Sequence, residues 1–369
     1  MPSAPELPRA FRLDHATLKA WLRESEPRAL EALWAEADQV RRASVGDDVH
    51  LRGLIEVSSH CVRHCLYCGL RAPSVGLERY RMTEEEILTC ALEAEQLGYG
   101  SVVLQGGEDP GLTRKFVAAA VRAIKERTSL AITLSLGERG DEDLMAWREA
   151  GADRYLLRFE TSDARLYRRI HPDLPGLPSD RFAQLARMRA MGYEIGTGVM
   201  VGIPGQTWDS LATDLLRFRG LDMDMIGVGP FLPSPRTPLG GPEAARFVAA
   251  PEEQVPNDVW TTLKVVALAR LVCPDANIPS TTALATLDRA QGRELALMRG
   301  ANVVMPNVTP VSYRARYEIY PGKACIQETA AACQGCLEGR IQALGRRVAK
   351  GPGGRIRIAK NTDSYDPHH

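Results

Sequence analysis

The chain carries no excess charge of either sign. Its 46 lysines and arginines are matched by 46 aspartates and glutamates, so the formal net charge is zero. A nucleic acid or an anionic membrane surface would need a basic excess to neutralise its phosphates, and the balance argues against both as partners. Long apolar runs are also missing, since none approaches the roughly 20 residues of a membrane span. The opening MPSAPELPRAFRLDH lacks the apolar centre of a secretory signal, and no short solenoid repeat is visible. Cysteines are few, eight in all. Without an export signal they are expected in the reducing cytoplasm, as ligands or redox groups rather than disulfides. What is left is an ordinary globular composition, 44% hydrophobic and 25% charged over 369 residues. That is enough for one large domain or two ordinary ones.

Residues 1–50 are rich in Ala, Leu, Glu and Arg, with Leu18, Trp21, Leu22, Leu30, Leu33 and Trp34 at helical spacing. They predict an N-terminal layer of two helices. From residue 51 short apolar runs alternate with amphipathic stretches. Eight strands are expected, at 51–59, 101–107, 131–137, 154–161, 194–202, 225–231, 277–284 and 301–308. Helical stretches lie between them, several opening on Thr or Asp and closing on Gly. Eight strands, each followed by a helix, are what a closed (β/α)8 TIM-type barrel requires. An open doubly wound sheet is the alternative, but polar or Gly-rich residues end nearly every strand rather than one switch-point loop. The expected organisation is the helical layer, an α/β barrel over 51–310, and a C-terminal helical extension over 311–369. The extension ends in a tail that is basic, then polar, and its last residues read as disordered.

Six of the eight cysteines fall in two tight groups. The first, SSHCVRHCLYCGLR, sets Cys61, Cys65 and Cys68 in a C-x3-C-x2-C frame directly after the first strand. A loop after a barrel strand lies at the C-terminal face, where such barrels place their sites. Three thiolates there could hold zinc, with His60 or His64 as fourth ligand, or three irons of a [4Fe–4S] cluster. The second group, Cys325, Cys333 and Cys336, has no apparent fourth ligand and reads as a second iron–sulfur site rather than a structural zinc. Cys90 and Cys273 sit in or at the end of helical patterns and read as buried small hydrophobes. In LQGGEDP, Gly106 and Gly107 would let backbone approach a ligand closely, although a plain βα turn explains them too. Arg158 and Glu160 share one face of their strand at period two, and inward charges need partners or ligands. Arg181, opening the next helix, could grip a carboxylate in bidentate fashion.

The cysteine frame, with Tyr67 just before its last member, resembles the radical S-adenosylmethionine (SAM) superfamily. That resemblance implies a [4Fe–4S] cluster on Cys61, Cys65 and Cys68, with SAM chelating the fourth iron. It also implies SAM-binding roles for Tyr67, Gly106, Gly107, Glu108, Ser135, Glu160, Arg181, Met200 and Ile203. VGIPGQT (201–207) resembles the superfamily's adenine-binding turn. The motifs CLYCGLR, RYRMT, VLQGGEDP, TLSLGE, GADRYLLRFET, GPFLPSPRTPL, NIPSTTALATL and YPGKAC narrow the likeness, over about residues 12–358, to the radical SAM maturases of [FeFe]-hydrogenase.

Membership of that family would place Arg158, Met225, Thr281, Thr282, Met305 and Tyr317 around a cavity inside the barrel. It implies a small organometallic or cysteine-derived substrate, an iron–cysteine complex bearing CO and cyanide. It also implies an electron donor such as ferredoxin or flavodoxin, and other hydrogenase maturases as partners. Cys325, Cys333 and Cys336 match the family's optional second cluster, [2Fe–2S] or [4Fe–4S]. Two rivals stay open: a biotin-synthase-like or methylornithine-synthase-like enzyme of the same branch, and a non-enzymatic iron–sulfur carrier.

Overall fold

The computed structural model describes residues 13–357, the side chain of Cys333 excepted. Two helices come first, α1 (His15–Arg23) and α2 (Pro27–Val45). The strands are β1 (Asp48–Ser58), β2 (Ser101–Gly106), β3 (Ala131–Ser135), β4 (Arg154–Leu156), β5 (Glu194–Val201), β6 (Met225–Pro230), β7 (Pro279–Ser280), β8 (Val303–Val304) and β9 (Arg347–Val348). Between β1 and β6 lie α3 (Glu84–Gln96), α4 (Arg114–Arg127), α5 (Asp141–Glu149), α6 (Ala164–Ile170), α7 (Arg181–Ala190) and α8 (Trp208–Gly220). Then come α9 (Val259–Val272), α10 (Thr282–Leu287), α11 (Gly292–Leu297), α12 (Val311–Arg314) and α13 (Ala330–Ala343).

The first eight strands form a parallel ring in the order β6-β5-β4-β3-β2-β1-β8-β7. A single bridge between Met225 and Asn277 spans the remaining gap, so the barrel is nearly closed. Its strands alternate as a barrel demands. In β1, Leu51, Ile55 and Val57 join the packed core under the helices, whereas Arg52, Leu54 and Glu56 face the interior. Helix starts follow the sequence signals. Thr83 and Glu86 make a reciprocal capping box, and Thr113, Thr207 and Asp258 each cap a helix through their side chains. The N-terminal layer is as expected: α1 lies against α8 and α2 against α9, burying Leu18, Trp21, Leu22 and Leu33.

Two expectations need correction. Regular pairing in β4, β7 and β8 is shorter than the apolar runs, because the chain turns toward the site early. Pro279 has no N–H to give a ladder, and Thr281 already caps α10. The larger correction concerns the tail. Residues 346–357 are an ordered strap across the N-terminal end of the barrel, and 358–369 lie outside the described residues. β9 pairs with the start of β1. Beyond it the carbonyl of Gly353 accepts from Arg52 Nη2 at 3.0 Å and Asn277 Nδ2 at 3.2 Å, and that of Pro352 from Arg154 Nη2 at 2.9 Å. Gly100 is glycine because a Cβ there would stand 1.6 Å from Gly351 O. Arg355 then anchors the strap on Asp222 at 2.9 Å, Asp224 at 3.3 Å and Asp275 at 2.7 Å.

Truncating Arg355, whose side chain is 5% exposed, removes a buried cation shared by three carboxylates, of which Asp222 and Asp224 keep Arg357. Arg355→Ala is expected to cost about 3 kcal/mol of unfolding free energy. Arg347→Ala, whose side chain is 78% exposed, should stay within about 0.5 kcal/mol of the parent. Denaturant unfolding of the three proteins checks both.

Candidate active site

The cysteine loop leaves β1 and crosses the C-terminal mouth of the barrel without regular structure. Its course is fixed by hydrogen bonds to fold elements. Val62 N donates to Glu108 O at 3.0 Å, Leu66 N to Ile170 O at 2.8 Å and Gly69 N to Ile319 O at 2.9 Å. Arg79, from RYRMT, wraps the carbonyls of Ser59, Leu70 and Arg71. Gly107 admits the loop, since a Cβ there would lie 2.3 Å from His60 O and 2.7 Å from Cys61 Cβ. Close approach is thus what this glycine supplies, first to the protein's own chain.

Burial pushes the Cys68 thiol up to about 12, with the neighbouring Cys61 adding to it. Cys65 and Cys61 are raised for the same first reason, and Cys68 adds to the rise at Cys65. Three thiols on one loop, Cys65 buried and Cys61 and Cys68 half-buried, resist ionisation unless a cationic group shares their charge, which is the donor chemistry of an iron–sulfur cluster. Among the described residues, neither His60 nor His64 gathers with two of these sulfurs within 4.8 Å, the span one ion would need. The donor set fits three irons of a cluster better than zinc.

Next to the loop lies a buried charged network that the sequence disclosed only in part. Arg63, inside the cysteine frame, pairs with Glu108 and reaches Glu138 Oε2 at 3.2 Å. Arg181 donates from Nε to Glu138 Oε1 at 2.9 Å, from Nη1 to Arg158 O, and from Nη2 to His171 Nε2 at 2.6 Å. Its Nη2 is 4.0 Å from Glu108 Oε1. Arg63, Glu138 and His171 were missed; the stretch TLSLGE contained Glu138, but the resemblance drew attention to Ser135. Asp109 was also missed, having read as part of a turn. It takes Arg81 through both oxygens at 2.7 Å and Ser58 Oγ at 2.6 Å, pinning the GGE turn to the end of β1.

Glu160 follows β4 with φ 63°, a left-handed conformation that costs a side-chain-bearing residue of order 1–3 kcal/mol. Its backbone is clamped between Gly198 O and Met200 N, at 3.0 and 3.2 Å. Its Oε2 stands 3.1 Å from Arg158 Nη2, out of hydrogen-bonding line. The expected charge pair is therefore present, on a strand end that has ceased to be regular. Beside it, Tyr67, Met200 and Ile203 pack with Leu66, Ile170 and Phe231 in an apolar cluster separate from the main core. The SAM-binding candidates thus converge on one mouth, except Ser135, which lines the interior.

Inside the barrel is a cavity of about 190 Å³. Arg158, Met225, Thr281, Thr282 and Met305 line it, together with Arg52, Glu56, Gln105, Thr133, Asn277, Tyr320 and Lys323, which were not foreseen. Tyr317 stands behind this wall, its hydroxyl 3.3 Å from Gln105 Nε2. Gly227 lines the cavity too, with nothing nearer to a Cβ there than Thr197 O at 3.7 Å, whereas a Cβ on Gly196 would sit 2.8 Å from both Leu156 Cδ1 and Met225 Cε, and one on Gly198 2.1 Å from Gly227 O. Of the distal group, Cys325 is half-buried with φ 60°, and Cys336 is exposed on α13 near Arg340. Cys333 lies on the same helix, its side chain outside the described residues. Cys90 and Cys273 are buried.

The profile of the Radical SAM superfamily matches residues 55–217, which defines the class of protein. The [FeFe] hydrogenase maturase subunit HydE of Thermotoga maritima is 47% identical over 328 residues, covering 89% of this chain and 90% of that one. At that likeness the chain belongs to the HydE family of radical SAM enzymes. A 3-methylornithine synthase of Methanosarcina acetivorans is 30% identical, covering 84% of each chain. Among solved structures, methylornithine synthase (PylB) superposes with a TM-score of 0.75 at 25% identity, covering 92% of this chain and 95% of that one. The maturase HydG from Carboxydothermus hydrogenoformans shares the fold, with a TM-score of 0.74 at 18% identity, covering 90% of this chain and 75% of that one.

Burial, reinforced by the Arg181 and Arg63 guanidiniums, holds the His171 imidazole down at about 2. In the unfolded chain it would take a proton near its ordinary value of 6.5. The unfolded state therefore binds more protons below pH 6.5, and folding stability falls as pH drops through that window. His171→Gln keeps an acceptor for Arg181 and removes the titration. Urea unfolding between pH 6.5 and 4.5 should show a slope shallower by up to about 1.4 kcal/mol per pH unit. A slope as steep as the parent's would mean that His171 does not stay neutral.

Proposed function

We propose that this chain is a radical SAM maturase acting in assembly of the diiron subcluster of [FeFe]-hydrogenase. The reading rests on one observation above all: three thiols in a C-x3-C-x2-C loop, one buried and two half-buried, lie at the mouth of a barrel that encloses a cavity. Cys61, Cys65 and Cys68 would hold a [4Fe–4S] cluster, which with SAM bound supplies one electron for C–S cleavage to methionine and a 5′-deoxyadenosyl radical. The chain's own residues position and enclose. Gly106, Gly107 and Glu108 would hold the methionine end of SAM, and Glu160 and Arg181 its polar groups. Tyr67, Met200 and Ile203 would offer the apolar shelf for the nucleoside. Ser135 belongs to the wall between the two compartments.

Arg158, Thr281 and Thr282 would anchor an anionic substrate in the cavity. Met225 and Met305 supply soft apolar walls that keep water from the radical, and Tyr317 backs Gln105. The substrate class is a small organometallic or cysteine-derived anion, an iron–cysteine complex with CO and cyanide. A ferredoxin or flavodoxin would deliver the electron, and other cytoplasmic maturases would take the product. Cys325, Cys333 and Cys336 would carry an accessory second cluster, [2Fe–2S] or [4Fe–4S]. The likeness to methylornithine synthase over nearly the whole chain supports a second reading, radical rearrangement of a small amino acid in the same cavity.

After anaerobic reconstitution with iron and sulfide, dithionite and SAM should yield 5′-deoxyadenosine, and Cys65→Ser should abolish it. Zinc in place of iron, or no cleavage by the reconstituted parent, would overturn the enzyme assignment. The double variant Cys333→Ser/Cys336→Ser is expected to keep SAM cleavage, as an accessory site requires. Complementation of a strain lacking its own maturase should restore active hydrogenase. Cleavage of SAM without complementation would favour the rearrangement.

A further inference from the structure

The segment that covers the barrel cavity from above is built unlike the rest of the molecule. Residues 318–324 run between α12 and α13 without regular structure, and Ile319, Tyr320 and Lys323 form part of the cavity wall. From Glu318 to Thr329 a single residue is buried, and it is Lys323. No fully buried apolar side chain fastens this stretch. Its ammonium donates to Glu56 Oε1 on β1, the two side chains being 4% and 1% exposed. Glu56 Oε2 accepts from Asn307 Nδ2 at 3.0 Å, and the ammonium lies 5.1 Å over the Tyr317 ring. Other ties accompany this pair: Ile319 packs on the edge of the main core, the Tyr320 hydroxyl bonds the Thr286 side chain, and Glu318 pairs with Arg236 at 3.2 Å. Ile319 O takes Gly69 N at 2.9 Å, Ala324 N reaches Thr286 Oγ1 at 3.0 Å, and Gly322 O accepts from the exposed Arg289 at 2.8 Å.

An ion pair is an unusual pin for such a place. Parting two buried charges lets both recover their hydration, so the pair fixes register strongly while resisting separation only modestly. An apolar plug would instead expose fresh hydrophobic surface at every opening. A stretch whose apolar side chains are only half-buried is also the kind that opens locally, below the free energy of global unfolding. The cavity beneath is lined by three cationic side chains, Arg52, Arg158 and Lys323, against one carboxylate, Glu56. An anion arriving there would find a positive wall, and a Lys323 released from Glu56 would add to it.

We propose that residues 318–324 form a roof that opens as a unit, that the Glu56–Lys323 ion pair is its latch, and that a small anion enters the barrel cavity by this route. The anionic occupant rests on the reading of the cavity as the substrate's compartment; the latch itself does not.

Hydrogen exchange on the full chain tests the latch. Amides of 318–324 should exchange together and faster than those of β1–β3, and Lys323→Met should speed them at least about tenfold while the strands keep their protection. Glu56→Gln provides a second variant if the first does not fold. Roof amides that exchange only with the strands, or strands that lose protection along with the roof, would overturn the proposal.

Access is read by placing a thiol under the roof. Thr133→Cys replaces a cavity-wall hydroxyl that has no hydrogen-bond partner. Its alkylation by iodoacetamide, scored by peptide mass spectrometry apart from the native cysteines, should quicken about tenfold when Lys323→Met is added. An unchanged rate would show entry by another path. Iodoacetate should react faster relative to iodoacetamide than it does with a free thiol; a ratio no higher would overturn the preference for anions. SAM cleavage by the reconstituted parent is measured separately, so a failed functional reading and a failed latch give different results.

Discussion

Two buried guanidiniums hold the open end of this barrel together. Arg63 belongs to the cysteine loop and Arg181 begins α7, and between them they engage Glu108 after β2, Glu138 after β3 and the backbone of Arg158 after β4. A network of this kind is costly to desolvate, and a packed apolar cluster would stabilise the fold at least as well. What it provides is direction, because each guanidinium is held by more than one partner and the arrangement has little freedom to relax. The cysteine loop, the GGE turn and the strained Glu160 are positioned from the same set of charges. His171 completes the set by remaining neutral, since a proton on it would face Arg181 directly.

The second governing feature is what the barrel leaves out. Closed eight-stranded barrels ordinarily fill their interior with layers of branched side chains. Here Gly227 on β6 withholds a side chain, and charged or polar groups on β1, β2 and β3, with Arg158 after β4, occupy part of the room. The lost internal packing is offset outside, where α9 is buried along nearly its whole length against α2 and the barrel. It is offset below as well, where the strap covers Arg52 and Arg154 with backbone carbonyls.

Much of this was legible in the sequence because it depends on neighbours along the chain. The apolar runs of β1–β3, β5 and β6, the Thr and Asp caps and the two cysteine groups all report local chemistry. The hollow left a trace too, as Gly227 in MIGVGP, on a strand that should have been bulky. Other features had no local trace. GPGGRIR has the composition of a linker, and only the ends of four distant strands give it something to bind. Glu56 and Lys323 are 267 residues apart, and Arg63 looked like a spacer between ligands. The short pairing of β7 and β8 was hidden for the opposite reason. Their apolar runs are real, but they are spent on turns that bring Thr281 and Met305 to the cavity.

The strap also fixes an order of events in the making of the protein. β1 emerges early from the ribosome, yet its start is flanked by β8 and β9, the second of which comes from residues 347–348. The barrel can assemble most of its ring while synthesis continues, but its floor stays open until the last part of the chain is free. A chain cut short before that point would keep Arg52 and Arg154 without their carbonyl partners and leave the hollow open at its floor. The floor is thereby the last part of the barrel to close, although the strand it rests on is the first.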